Sequence, residues 1–243
     1  MNAPTSDAAI ESLNPNEIAE RLTHASIAYL PLGSLEFHGP HLPIGLDALT
    51  ARGVCLAASN RTGGIVLPAV YFAVGGEHTY YPWTLISREP GQIETLLSET
   101  LARLNDLGVR RAVLLSGHFA PAQQELITRV ADTWNTRETR LRAVARTLAQ
   151  AANAPVAPDH AGQFETLLLY ALNPNLVKLH RLPDQRVFPA PEAEDPFGPA
   201  RHNESHPLHG IFGPDPRTID FHEAGPLLEH FVGWVADLAT RNE

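Results

Sequence analysis

Apolar and polar positions follow two rhythms along this chain. Short apolar bursts, "SIAYLPL" (26–32), "GIVLPAV" (64–70), "RAVLLSG" (111–117) and "LRAVAR" (141–146), have the length of buried strands. Longer stretches at 46–61, 91–107 and 121–135 carry the helical period. Pro121 suits a first helical turn, and Gly108 follows "LLSETLARLNDL" where a C-cap belongs. The segment 183–216, rich in proline and histidine, is expected to be irregular, and a closing helix is expected around 222–240. Strand and helix in turn predict an α/β fold, a three-layer α-β-α arrangement with a mostly parallel sheet, as a single domain over 1–243.

In such a sheet ligands collect at the carboxyl ends of the strands. The polar residues there are "YLPLGSLEFHG", "VLLSGHFAP" and the turn "PDHAGQFE" that leads into a helix. Glu36 and His38 are two apart and point to the same side of an extended chain. Gly39, Pro40 and Pro43 force a turn that can return Asp47 to them, and His118 would join from another strand. Carboxylate with imidazole and no thiolate suits Zn, Mn or Fe better than Ca, at a catalytic rather than a structural site. An isolated Glu-x-His in a loop is more often a hydrogen-bonded turn than a metal site, and His118 brings the two readings level.

Composition narrows the partners. With 243 residues, 44% of them hydrophobic, the chain can bury a sizeable core. Its net charge of -9 leaves no basic stripe to displace counterions from a nucleic acid. The single cysteine, Cys55, excludes an internal disulfide and leaves any metal to His, Asp and Glu. The start, "MNAPTSDAAIESLNPNE", lacks the basic and apolar regions of a signal peptide, and no apolar run is long enough to span a bilayer. The expectation is a soluble cytoplasmic protein acting on a small molecule, with no nucleic acid or membrane partner.

Five stretches in order, "LPLGSLEFHGPHLPIGLDAL", "GGEHTYYPWT", "LLSGHFA", "DHAGQFETLLLYALNPNLV" and "GIFGPDPR", resemble the creatininase family of metal-dependent amidohydrolases over nearly the whole chain. The resemblance implies two divalent ions per chain (Zn, Mn or Fe). Glu36, Asp47 and His118 would hold one ion, while His38 and a bridging Asp47 help hold the other. His160 matches the family histidine that moves protons between the attacking water and the leaving nitrogen. The implied reaction is cleavage of a C–N bond in a small cyclic or linear amide through a metal-activated water. Formamide deformylation and peptide trimming occur on the same scaffold, and a catalytically silent metal-binding protein is the competing reading. A homo-oligomer is implied, the family often forming hexamers.

The chain also departs from the creatinine-hydrolysing members. They place a glutamate ligand two residues after the position of His118, where this chain has Ala120. Glu165, on the first turn of a predicted helix, is the candidate replacement ligand and catalytic-centre residue; it could instead orient a ligand or stabilise the helix start. Val156 stands where those members carry a tryptophan that helps enclose the ring, which makes creatinine itself doubtful. Trp83 replaces a usual glycine and is expected to narrow the entrance. Trp83 and Phe119 are candidates for stacking on a planar substrate, with a place in the core as the alternative. His78 is a further substrate-binding candidate, a structural hydrogen bond being equally compatible. His202, His206 and His209 read as surface or interface residues, with pocket contact as the weaker alternative, since Pro207 discourages the helix their spacing would need for a metal. His41 has no assigned role.

Overall fold

The computed structural model describes residues 6–76, 78, 80–191 and 194–241. Four parallel strands, β1 (Ile27–Leu32), β2 (Ile65–Val66), β3 (Arg111–Ser116) and β4 (Arg142–Thr147), lie in the order β2-β1-β3-β4. Six helices accompany them: α1 (Pro15–His24), α2 (Leu46–Thr62), α3 (Pro90–Asp106), α4 (Pro121–Asn135), α5 (Gln163–Leu172) and α6 (Ala224–Thr240). Side chains along each strand alternate between two cores. Tyr29, Val113, Leu115 and Val144 pack with α2, α5 and α6 through Val54, Phe164 and Phe231. Ala28, Leu30, Ala112 and Leu114 pack with α3 and α4 through Leu97, Leu101 and Ile127. Both faces of the sheet are therefore covered, which is why the strands read as unbroken apolar runs rather than alternating ones. The expected three-layer α-β-α fold is the observed one.

Two differences from the sequence reading have local causes. The burst at 64–70 pairs as a strand only over Ile65–Val66, because Pro68 has no N–H for the ladder; pairing resumes at a single bridge between Leu32 and Val70. Helix α1 lies outside the helical stretches read from the sequence, yet its start is written in "NPNE". Asn14 Oδ1 accepts from the N–H groups of Asn16 and Glu17, while Glu17 Oε2 accepts from Asn14 N at 2.7 Å, a reciprocal cap with Pro15 in the first turn.

The register decides where the site falls. Leu32 of β1 is level with Ser116 of β3, and Gly117 N donates to Leu32 O at 2.9 Å, so both strands release their chains side by side. A smaller apolar cluster, including Leu42, Leu46, Ala161, Leu169 and Ile211, lies under the loops beyond them and ties the 33–45, 159–162 and 208–212 segments together.

Candidate metal centre

Glycine at the ends of β1 and β3 lets helix α2 come close. A Cβ at Gly33 would stand 2.1 Å from Ala48 N, and one at Gly117 would stand 2.1 Å from Asp47 O. Only glycine admits that approach, which sets the first turn of α2 against the two strand ends. Asp47, on that turn and 1% exposed, thereby reaches the residues that follow β1 and β3.

Four buried side chains converge on Asp47. His38 Nε2 is 3.0 Å from Asp47 Oδ1 and 3.6 Å from Glu165 Oε2. His118 Nδ1 is 2.9 Å from Glu36 Oε2 and 3.3 Å from Asp47 Oδ2. The other nitrogen of each ring is tied to a backbone carbonyl: His38 Nδ1 donates to Glu36 O at 2.8 Å, and His118 Nε2 donates to Gly75 O at 3.2 Å. A carbonyl can only accept, so one proton position on each ring is fixed and the opposite nitrogen faces the carboxylates, where it can hold a second proton or give its lone pair to a cation. His38 Nε2 stands close to Asp47 but in no hydrogen-bonding geometry, an orphaned buried donor or acceptor. That is the chemistry of a metal ligand set, and the residues fit divalent ions. Two groups, Glu36 with Asp47 and His118, and His38 with Asp47 and Glu165, each bring one ligand atom per residue within 4.8 Å of one another; Asp47 belongs to both.

Charge in this cluster is strongly coupled. Burial opposes ionisation of Glu36 and Asp47, but the imidazoles around them outweigh it and hold both carboxyls well below the usual range. Burial likewise opposes a charge on His38, yet Asp47 and Glu165 raise its pKa to about 10, and Asp47 with Glu36 lifts His118 well above 6.5. Burial pushes Glu165 up, partly offset by His38. Protons thus occupy in the metal-free protein the places that cations would take. Loading with zinc at pH 7 is expected to release at least about two protons per chain, one from each imidazole, measurable as buffer-dependent heat in calorimetry. The protonated His38 stabilises the fold fully below 6.5, its unfolded value, and that contribution is lost as pH rises through about 10. The metal-free protein should therefore melt at a lower temperature at pH 10 than at pH 7. A flat melting temperature and no proton release would contradict this charge pattern.

The turn before α5 is held by a residue the sequence reading did not single out. Gly162, at the N-cap, has no side chain to cap the helix, and Asp159 replaces it. Its Oδ1 accepts from Gly162 N at 3.1 Å and its Oδ2 from Phe164 N at 3.0 Å. Burial pushes the Asp159 carboxyl up to about 7 against those backbone donors. Ala161 adopts φ +58, a left-handed conformation uncommon for alanine, and its N–H donates to Glu165 Oε2 at 2.6 Å. Asp159→Ala would leave those N–H groups buried and unpaired, and is expected to destabilise the protein by at least about 2 kcal/mol in denaturant unfolding.

The cavity over this cluster has a volume of about 680 Å³. His160 and His78 line it, and their rings stack at 4.0 Å; His160 Nε2 donates to Phe37 O at 2.9 Å, and His78 Nδ1 is 2.9 Å from Glu36 Oε1. Phe119 lines the cavity too, set edge-on to Phe164. Trp83 does not: it is 82% exposed and lies outside the lining. Of the three later histidines, His202 turns inward to line the cavity, whereas His206 pairs with Glu194 at 3.1 Å and His209 packs beside Tyr81. For His202 the weaker alternative, pocket contact, is the one observed, beside a buried Arg201. Ser34 is another residue without a strong sequence signal. Fully buried, it donates to Asp47 Oδ2 at 2.6 Å and lies 3.3 Å from Glu36 Oε2. His41 is structural: burial and the neighbouring His38 lower it to about 3, and its Nε2 faces Thr166 Oγ1 at 3.2 Å.

A crystal structure of creatinine amidohydrolase (creatininase) matches this fold over 96% of both chains, with a TM-score of 0.73 at 25% identity. A parallel α/β sheet whose strand ends gather this ligand set defines a metal-dependent hydrolase acting on C–N bonds. The family model described as "Creatininase: Creatinine amidohydrolase" matches residues 11–239, and the chain belongs to the creatininase family. It is 28% identical over 202 residues to the creatinine amidohydrolase of Pseudomonas putida, covering 72% of this chain and 75% of that one. It is 29% identical over 222 residues to the mycofactocin precursor peptide peptidase of Mycolicibacterium smegmatis, covering 87% of this chain and 83% of that one. Among the described residues no helix is long and apolar enough to cross a membrane.

Proposed function

We propose that this chain hydrolyses the C–N bond of a small cyclic or linear amide at a centre of two divalent ions, Zn, Mn or Fe. Glu36, Asp47 and His118 hold one ion; His38, Asp47 and Glu165 hold the other. The observation that carries this reading is the pair of buried imidazoles, each tied by one nitrogen to a backbone carbonyl and turned by the other onto the shared Asp47. When bound, the ions supply a Lewis acid for the amide carbonyl and acidify a water. Glu36 and Asp47 offset the positive charge and, steadied by Ser34, keep their oxygens aimed. Burial keeps His160 neutral. Its Nε2 is committed to Phe37 O, so Nδ1 has the lone pair that takes a proton and returns it to the leaving nitrogen.

Ala120 and Val156 stand where creatinine-hydrolysing members carry a ligand glutamate and a ring-enclosing tryptophan, and this reading places creatinine outside the substrates. Assembly as a homo-oligomer in the cytoplasm belongs to the same reading, supported by family resemblance. The experiment is elemental analysis of the purified protein beside an activity screen over lactams, cyclic ureas, formamides and short peptides. Turnover that chelator abolishes and added metal restores supports it; metal binding without turnover on any of these supports a silent metal-binding protein.

A further inference from the structure

The cavity is divided by polarity. Its acidic and imidazole floor is nearly closed to solvent, Glu36, Asp47, His118 and Glu165 each being 4% exposed or less. The groups that line it with greater exposure are mostly apolar: Phe119, Pro121, Ala149 and Phe197. Ring faces continue outward from the floor. His38 stacks on His160 at 4.5 Å, His160 on His78 at 4.0 Å, and His202 lies 4.6 Å from Phe212.

His202 is placed there deliberately by its loop. Tyr81 Oη meets its Nδ1 at 2.9 Å. The preceding Arg201, 3% exposed, donates through Nε to Glu194 at 3.0 Å and through a terminal nitrogen to Ile211 O at 2.9 Å. That guanidinium is engaged by Glu194 and Ile211, and no Lys or Arg lines the cavity among the described residues. An anionic group in the outer part would face phenyl rings with no cation to pair with, a loss that increases as water is excluded. The volume, about 680 Å³, is in the range of pockets for ligands well beyond a single five-membered ring.

We infer that the outer chamber, walled by His202, Phe212, Phe197 and Phe119, is a specificity subsite for an uncharged, flat, aryl-like portion of the amide substrate, and that it rejects substrates carrying an anionic group there. This inference rests on the metal-centre reading above. His202 gives a ring face, and Phe212 backs it at 4.6 Å.

Hydroxamates test the inference by binding, because they chelate divalent metals and project a chosen tail from the centre. Calorimetric titration of the zinc-loaded protein would compare acetohydroxamate, benzohydroxamate, and benzohydroxamates bearing para-sulfonate or para-trimethylammonium. Benzohydroxamate is expected to bind at least about tenfold tighter than acetohydroxamate, the gain of burying an aryl face. The sulfonate should erase that gain. His202→Arg should restore sulfonate binding by about tenfold, a reversal that a purely structural role for His202 does not produce; circular dichroism confirms that the variant folds. Equal binding of the aryl and acetyl compounds, undiminished binding of the sulfonate, or tightest binding of the trimethylammonium compound would each overturn the inference. If acetohydroxamate itself does not bind, the metal-centre reading fails and this inference falls with it; if it binds while the aryl pattern is absent, only the subsite is wrong.

Discussion

Asp47→Asn is expected to lose both ions and all turnover. The replacement keeps the shape of the side chain but removes the charge that two imidazoles share, His38 at 3.0 Å and His118 at 3.3 Å. Removing a group that merely supports a ligand lowers metal affinity by about 10–100-fold, and a carboxylate common to both ligand groups should cost more than that at each site. Competition with a fluorescent zinc chelator measures the affinity, and circular dichroism checks the fold. The same variant removes the main attraction for the proton on His38, so the metal-free melting temperature should vary less between pH 7 and pH 10 than in the native chain. Native-like zinc affinity in Asp47→Asn would show that the ions, if any, bind elsewhere.

His160→Ala should lose turnover while keeping its metal. His160 precedes a strained residue, Ala161 at φ +58, and reciprocal backbone hydrogen bonds of 2.8 Å join His160 to Phe212. That framework aims the ring from outside the two Asp47 groups. Loss of a positioned proton carrier lowers rate by about 10²–10⁴-fold, and the fall should appear in kcat with little change in KM. His160 also forms a third group with Glu36 and His38 within ligand reach. Metal content therefore separates the roles: a variant that loses an ion along with its activity identifies His160 as a ligand, whereas an inactive variant with native metal identifies it as the proton carrier.

Most of this centre could be read from sequence because its parts sit where a parallel sheet must put them. Glu36 and His38 follow β1, His118 follows β3, and the shared register of Leu32 and Ser116 makes those ends neighbours. What escaped the reading depends on contacts that spacing does not encode. Ser34 matters only because the first turn of α2 brings Asp47 within 2.6 Å of it. Asp159 caps a helix from three residues before the glycine at its N-cap, a position outside the usual capping pattern. His202 enters the cavity through an Arg201–Glu194 pair formed inside a proline-rich loop that has no periodicity to read. Trp83 differs for another reason: an aromatic at a matched motif position suggested stacking, but it lies outside the cavity lining, 82% exposed on a backbone at φ +67. The strand at 64–70 was shortened by Pro68, a signal present in the sequence and outweighed there by the apolar run around it.

On the proposed reading, Glu165 decides whether the centre holds two ions. Its Oε2 is 3.6 Å from His38 Nε2 and also accepts from Ala161 N, so it is both anchored and aimed at the ring that it shares with Asp47. Zinc titration of chelator-stripped protein, native and Glu165→Ala, with bound metal counted by elemental analysis after gel filtration, tests this directly. The account predicts two ions per chain in the native protein and one in the variant, with the Glu36, Asp47 and His118 site kept. One ion in the native protein, or two in Glu165→Ala, would contradict it.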